Sequence, residues 1–149
     1  MITLRTSTPA DGARIVDIWR RAVDATHDFL SPRDRRDIEA EVVAFLPAAT
    51  LDLAVDADDR ALAFMLLDGS HMEALFVDPD ARGAGVGRAL VEDALRRHPG
   101  LSTDVNEQNA QAIGFYERLG FERTGRSERD GQGRAYPLIH LRHRGDAPA

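Results

Sequence analysis

Between Arg82 and Arg88 the chain places glycine at every second position, Arg82-Gly83-Ala84-Gly85-Val86-Gly87-Arg88. Before them Glu73 to Val77 is apolar at Ala74, Leu75, Phe76 and Val77, as expected of an interior strand covered on both faces, and Asp78-Pro79 ends that strand. After them Val86, Leu90, Val91, Ala94 and Leu95 recur at helical spacing, so the glycines open a helix. The N–H groups of a first helical turn lack intrahelical partners and the helix dipole adds positive charge, which makes a phosphate the natural guest. Glycine removes the side chains that would hold a phosphate away. The dipole contributes only ~0.3 to 2 kcal/mol, whereas micromolar binding needs ~8, so the ligand must be longer than a phosphate and be held elsewhere as well.

Two familiar phosphate loops fit poorly. A P-loop ends in Gly-Lys-Ser/Thr, and here Gly87 is followed by Arg88 and Ala89. The dinucleotide fingerprint begins well at Gly83 and Gly85 and has Asp104 near the place of its ribose-binding acid, but Arg88 stands where the third glycine belongs. The spacing Arg82-x-x-Gly85-x-Gly87 after an apolar strand instead resembles the acetyl-CoA motif (Q/R-x-x-G-x-G/A) of the GNAT superfamily of N-acetyltransferases. A second block, Asn109, Ala112, Tyr116, Gly120 and Phe121, resembles the other signature of that family, N-x-x-A-x-x-x-Y-x-x-x-G-F.

The resemblance implies an α/β (α+β) fold with a mixed, mostly antiparallel sheet of about seven strands and about four helices. Strands four and five are expected to start side by side and splay, leaving a notch for a pantetheine arm. It further implies acetyl-CoA as co-substrate, with the backbone of Leu75, Phe76 and Val77 bonding the pantetheine amides as an added strand. N–H groups of Gly83, Ala84, Gly85, Val86, Gly87 and Arg88 would hold the diphosphate, and Asn109 would bond the pantetheine end. Arg82 and Arg88 either add charge there or are a solvated helix face.

By the same resemblance Tyr116 is the general acid, since a phenol with pKa about 10 stays protonated at pH 7 and can protonate a departing thiolate. Tyr116 also lies on the inward face of its helix. A lysine amine is neutral in only about one molecule in 2,500 at pH 7, so a base matters. Asp104 on strand five and Glu73 on strand four are the candidates, and Asp104 is one methylene shorter than the family's usual glutamate, which favours a bridging water. The acceptor site is expected to involve His27, Phe29 and Leu30 between the first two helices, with His71 and Asn106. For His27 capping or packing is an equal alternative, and His71, two residues before Glu73 on the same strand face, either lines the acceptor site or packs.

The elements that must position these residues follow in order. Ile2 and Leu4 mark a first strand; Thr8-Pro9-Ala10-Asp11 starts a helix with Ile15, Ile18, Trp19, Ala22 and Val23 inward. Ser31-Pro32 starts a second helix, with Ile38, Val42, Phe45 and Leu46 inward and Pro47 stopping it. Strands are expected at 51–55, 61–67, 73–77 and 101–106, a fourth helix from Asn109 to Gly120, and a last hairpin from 121–127 and 135–141. One domain spans 1–144, and 145–149 is a frayed tail.

The 149 residues hold no cysteine, which excludes thiolate nucleophiles and thiolate zinc sites. His140 and His143 lie three apart on a strand, facing opposite ways, and no metal is expected. A net charge of −6 argues against nucleic acid as partner. No apolar run approaches a membrane span, and no secretory signal is visible, so the expected location is the cytoplasm. The expected partner is an amine acceptor, protein or small molecule, with no membrane partner and a monomer or homodimer. The resulting reading is an acetyl-CoA-dependent N-acetyltransferase acting by direct attack of a primary amine, with a non-catalytic acyl-CoA sensor as the alternative.

Overall fold

A computed structural model describes residues 2–145. Seven strands form one sheet in the order β1-β2-β3-β4-β5-β7-β6: β1 (Thr3–Thr6), β2 (Asp52–Val55), β3 (Ala61–Asp68), β4 (His71–Val77), β5 (Ser102–Asn106), β6 (Phe121–Ser127) and β7 (Leu138–His143). The helices are α1 (Gly12–Thr26), α2 (Pro32–Phe45), α3 (Val86–Arg97) and α4 (Ala110–Arg118). The β4–β5 pair is parallel and its register covers His71↔Ser102 and Met72↔Thr103. β1–β2, β2–β3, β5–β7 and β6–β7 are antiparallel. This is the mixed, mostly antiparallel sheet with four helices that the sequence predicts. No helix among the described residues is long and apolar enough to cross a membrane.

The chain clusters into two units, Met1–Leu66 with Ala74–Glu92, and Leu67–Glu73 with Asp93–Ala149. In the first unit, Ile15, Ile18, Trp19 and Val23 of α1 pack on Leu53, Val55 and Phe64, as the helical spacing requires. Thr8 and Asp11 form a capping box ahead of α1, and the Ser31 hydroxyl accepts from Asp34 N–H at the start of α2. Arg35 stacks over the Trp19 ring at 4.7 Å.

Phe45 departs from expectation, being 56% exposed, while Leu46 is buried. The chain tightens at that point into a 3-10 turn, Leu46–Ala48, and the changed pitch turns Leu46 inward in place of Phe45. Ala74 to Val77 are only partly covered, not sealed on both faces as the apolar run suggests.

In the second unit, Leu101, Thr103 and Val105 turn one face of β5 inward, with Ile113 and Tyr116 of α4 also buried. β7 begins at Leu138 and not at Ala135, because Asp130 Oδ1 accepts from Gln132 and Arg134 N–H in a wide turn and Pro137 has no N–H for a ladder. Gly120 has φ of 99°, the left-handed geometry predicted for the end of α4. Gly145 N–H donates to His143 Nδ1 at 3.0 Å, and the rest of the expected tail, 146–149, lies outside the described residues.

Asp78, which the sequence marks only as a strand stop, is a buried anion at 2% exposure. Its Oδ2 accepts from Arg14 Nη2 at 2.5 Å and Arg21 Nη1 at 2.7 Å, and its Oδ1 accepts from Asp80 N–H at 2.9 Å. Burial alone would raise this carboxyl, but the Asp80 N–H and the two guanidinium groups outweigh it and hold the pKa below the ordinary value. A carboxylate depressed on folding adds stability that is fully present above the unfolded value, about 3.9, and is lost as pH falls through the folded one. Asp78→Asn should therefore cost about 3 kcal/mol in urea unfolding at pH 7, because two arginines lose their buried partner. The gap between variant and wild type should close as the pH is taken well below 3.9, a value set by about the ordinary aspartate pKa.

Candidate functional site

The glycine segment belongs to the first unit. Asp78 caps the 3-10 turn Pro79–Ala81, a turn carries the chain through residues 82–85, and α3 begins at Val86, which is 1% exposed and pins the helix start to the core. Gly83 and Gly85 have φ of 80° and 76°, and a Cβ on either would meet no atom within 4 Å. Both left-handed positions require glycine for their backbone, and the space above them is open. The glycine backbone at the mouth of a twelve-residue helix thus has open space beside it, which fits a diphosphate. Arg82 and Arg88 are exposed, and Arg88 Nε pairs with Glu92 at 3.3 Å.

The same unit holds His27, Phe29, Leu30 and Phe76. The His27 ring lies 5.2 Å from Phe29 and 6.3 Å from Phe76, whose ring is 5.5 Å from Phe64. Leu30 and Phe76 pack on the buried core. His27 Nδ1 meets Thr26 Oγ1 at 2.6 Å, and burial lowers the His27 pKa from the ordinary value, so the ring is neutral at pH 7. Its residues make an apolar wall in which the imidazole acts as one more aromatic ring.

The second unit carries most of the polar candidates. The β4–β5 and β5–β7 registers put His71, Glu73, Ser102, Asp104, Asn106 and His140 on one sheet face. There the side chains form a continuous run. His71 Nδ1 meets Ser102 Oγ at 2.7 Å, and His71 Nε2 lies 3.4 Å from Asp104 Oδ2 and 4.0 Å from Glu73 Oε1. Asp104 Oδ1 meets His140 Nδ1 at 2.6 Å, and His140 Nε2 meets Ser127 Oγ at 2.6 Å.

Asn106 Oδ1, at the end of the same strand, is buried and accepts no hydrogen bond from the described residues. An orphaned acceptor of this kind suits an amide N–H from a ligand. Asn109 caps α4, its Oδ1 accepting from Ala112 N–H at 3.1 Å. Tyr116 is buried with its ring edge-on to Phe115 and Phe121, and burial raises its pKa well above 10. It is a protonated donor at neutral pH.

Sequence reasoning finds Asp104, Glu73 and His71, and the structure brings these three together. It misses His140, Ser102 and Ser127, because Asp104 and His140 are 36 residues apart and meet only through the β5–β7 register. His143 faces the other way, its Nε2 on Leu119 O at 2.9 Å. No group of three or more metal-ligating side chains among the described residues has the geometry to hold a metal.

The seven-stranded mixed sheet with its parallel β4–β5 pair and four helices is the fold of an acetyltransferase of the GNAT type. The model of the acetyltransferase (GNAT) domain matches residues 40–123, and the chain belongs to that family and is an N-acetyltransferase. It is 54% identical over 145 residues to the peptidyl-lysine N-acetyltransferase YjaB of Escherichia coli strain K12, covering 97% of this chain and 99% of that one. The YjaB of Salmonella typhimurium is 55% identical over 141 residues, covering 95% and 97%. The solution structure of apo YjaB from Escherichia coli superimposes with a TM-score of 0.93, covering 98% of this chain and 99% of that one. Members of this family use acetyl-CoA as acetyl donor.

The orphaned Asn106 oxygen makes a separate expectation. A buried acceptor without a donor costs about 1 to 3 kcal/mol, so Asn106→Leu should raise the melting temperature of the free protein by a few degrees. The same variant should lose acetyl transfer if that oxygen takes an N–H of substrate, and differential scanning calorimetry beside a turnover assay checks both.

Proposed function

We propose that this chain transfers acetyl from acetyl-CoA to the ε-amine of a lysine in a protein acceptor, by direct attack and without a covalent enzyme intermediate. The observation that carries the acceptor class is the 54–55% identity, over nearly the whole length of both chains, to enzymes named as peptidyl-lysine N-acetyltransferases. The open backbone at Gly83 and Gly85 supports the donor.

Acetyl-CoA supplies an activated acyl carbon and a thiolate leaving group. N–H groups from Gly83 to Arg88 hold its diphosphate, with Arg82 and Arg88 adding charge at the helix mouth. The partly covered edge of Leu75, Phe76 and Val77 bonds the pantetheine amides as an added strand, and Asn109 and Asn106 bond its further end. His27, Phe29 and Leu30 wall the acceptor side with apolar surface, suited to the methylenes of a lysine. Glu73 and Asp104 draw in the cationic head.

Tyr116 donates the proton that the leaving sulfur requires. Its burial keeps the phenol intact, and because that burial makes full ionisation costly, the proton moves together with C–S cleavage and not before it. Tyr116→Phe should lower kcat by about 10² to 10³ while leaving the Kd for acetyl-CoA within about twofold.

The chain contains no lysine, so all 19 of its basic Lys/Arg positions are arginine. Any acetyl-lysine formed in an assay then belongs to the acceptor. Supplying acetyl-CoA with a lysine peptide blocked at its N-terminus, a peptide with only a free α-amine, and a polyamine, and reading thiol release with intact mass, tests the proposal. Turnover on the blocked lysine peptide is expected; calorimetric acetyl-CoA binding without turnover on any amine would make the protein a sensor.

A further inference from the structure

The run of bonds on the β4–β5–β7 face contains two imidazoles on one carboxylate, held in different ways. At His140 the Nδ1–O distance to Asp104 is 2.6 Å, the length of a charge-assisted bond, and Ser127 Oγ sits 2.6 Å from the other nitrogen. His140 therefore donates Nδ1–H to Asp104 and accepts at Nε2 from the Ser127 hydroxyl. At His71 the short contact is instead Nδ1 to Ser102 Oγ, 2.7 Å, while Nε2 stands off from Asp104 Oδ2 at 3.4 Å and from Glu73 Oε1 at 4.0 Å. A neutral His71 that donates Nδ1–H to Ser102 leaves Nε2 bare.

Three acceptors, His71 Nε2, Asp104 Oδ2 and Glu73 Oε1, thus converge, and among the described residues none donates a hydrogen bond to either of those two oxygens. The side chains are about one-third to one-half exposed, 31% for His71, 34% for Asp104 and 47% for Glu73, so a solute reaches them. A group with several N–H donors and a positive charge completes such a cluster, and a primary ammonium has three.

We infer that the acceptor arrives as a primary ammonium bound between His71, Asp104 and Glu73, and that His71 Nε2 takes its proton. This rests on the proposed lysine acetylation and names its base. Of the three ammonium protons, one passes to His71 and on to solvent, one restores the phenol of Tyr116, whose own proton goes to the leaving thiol, and one stays in the amide. The amine lone pair forms the N–C bond, and the C–S pair departs with sulfur. A lysine ammonium giving its proton to an ordinary carboxylate runs uphill by roughly six powers of ten, and to an ordinary imidazole by roughly four, which favours the ring. Asp104 is then a positioning residue, locked by His140 and Ser127, whose charge lies beside the imidazolium. The next charged group on this face is Arg142, opposite Ser102 on β7, whose guanidinium lies over Gly100.

The test is made on the full chain with a blocked lysine peptide. His71→Ala should lower kcat/KM about 10² to 10³-fold and abolish the acid limb in which the rate rises as the imidazole loses its proton, with added imidazole restoring part of the rate. Acetyl-CoA affinity by calorimetry should not change. Asp104→Asn and His140→Gln should displace the limb without abolishing it, and Glu73→Gln should act mainly on KM for the peptide. In parallel, long-range ¹H–¹⁵N spectra should show the Nδ1–H tautomer of His71, and n-butylammonium should shift its Nε2 in wild type but not in Glu73→Gln/Asp104→Asn. A retained limb in His71→Ala, or an Nε2–H tautomer, overturns the inference. If wild type acetylates no amine yet the tautomer and the n-butylammonium shift appear, the ammonium site stands and the lysine acetylation reading falls.

Discussion

Two pairs of residues hold β4 and β5 together, and the placing of the polar face that carries His71 and Asp104 depends on them. His71↔Ser102 and Met72↔Thr103 fix the register, backed by Thr103 Oγ1–H on Met72 O at 2.9 Å and Ser102 N–H on Ser70 O at 2.9 Å. A slip of one residue would turn every side chain of β5 to the other face. Asp104 would then lie where Thr103 and Val105 are buried, and the alternation that sets Met72, Thr103 and Val105 inward and His71, Asp104 and Asn106 outward would be reversed. The apolar side of the strand thereby specifies where the polar side points.

The two aspartates that matter most are solvated to opposite degrees, and their partners differ accordingly. Asp78 is almost wholly buried, and a charge there survives only because two guanidinium groups and an N–H meet it. Arginine never gives up its proton, so that site is permanently ionised and its work is to tie α1 to the turn that leads into the glycine segment. Asp104 is one-third exposed and is met by imidazoles. One ion is held by fixed cations, and the other by contacts to two imidazoles.

Much of this was legible in the sequence, and what was not has definite reasons. The faces of α1 and α3, the caps at Thr8, Ser31 and Asn109, and the glycines at 83, 85 and 120 are local signals, readable from spacing and turn chemistry. Phe45 misled because helical periodicity was extended across a turn that changes pitch, and Ala135 because strand propensity was read through Pro137. In the sequence His140 shows only its spacing from His143, since its real partner, Asp104, is distant in sequence. Pairing of β5 with β7, not with β6, is a long-range choice that no local pattern encodes. In the sequence Asp78 marks only a strand end, because its burial is decided by Arg14 and Arg21, each more than 50 residues away.

The absence of lysine adds a constraint of a different kind. Every basic side chain among the 19 is a guanidinium, which stays protonated at any physiological pH and carries no nucleophilic lone pair. The chain can hold helix ends, bridge Asp78 and Asp80, and pair with Glu39 and Glu107 without presenting a single amine side chain to its own chemistry. A guanidinium is also planar and forks its donors, whereas the convergent acceptors on β4 and β5 match the compact, tetrahedral head of an ammonium. On the proposed reading, the cations that hold the fold and the cation that the site selects differ in donor geometry as well as in proton affinity.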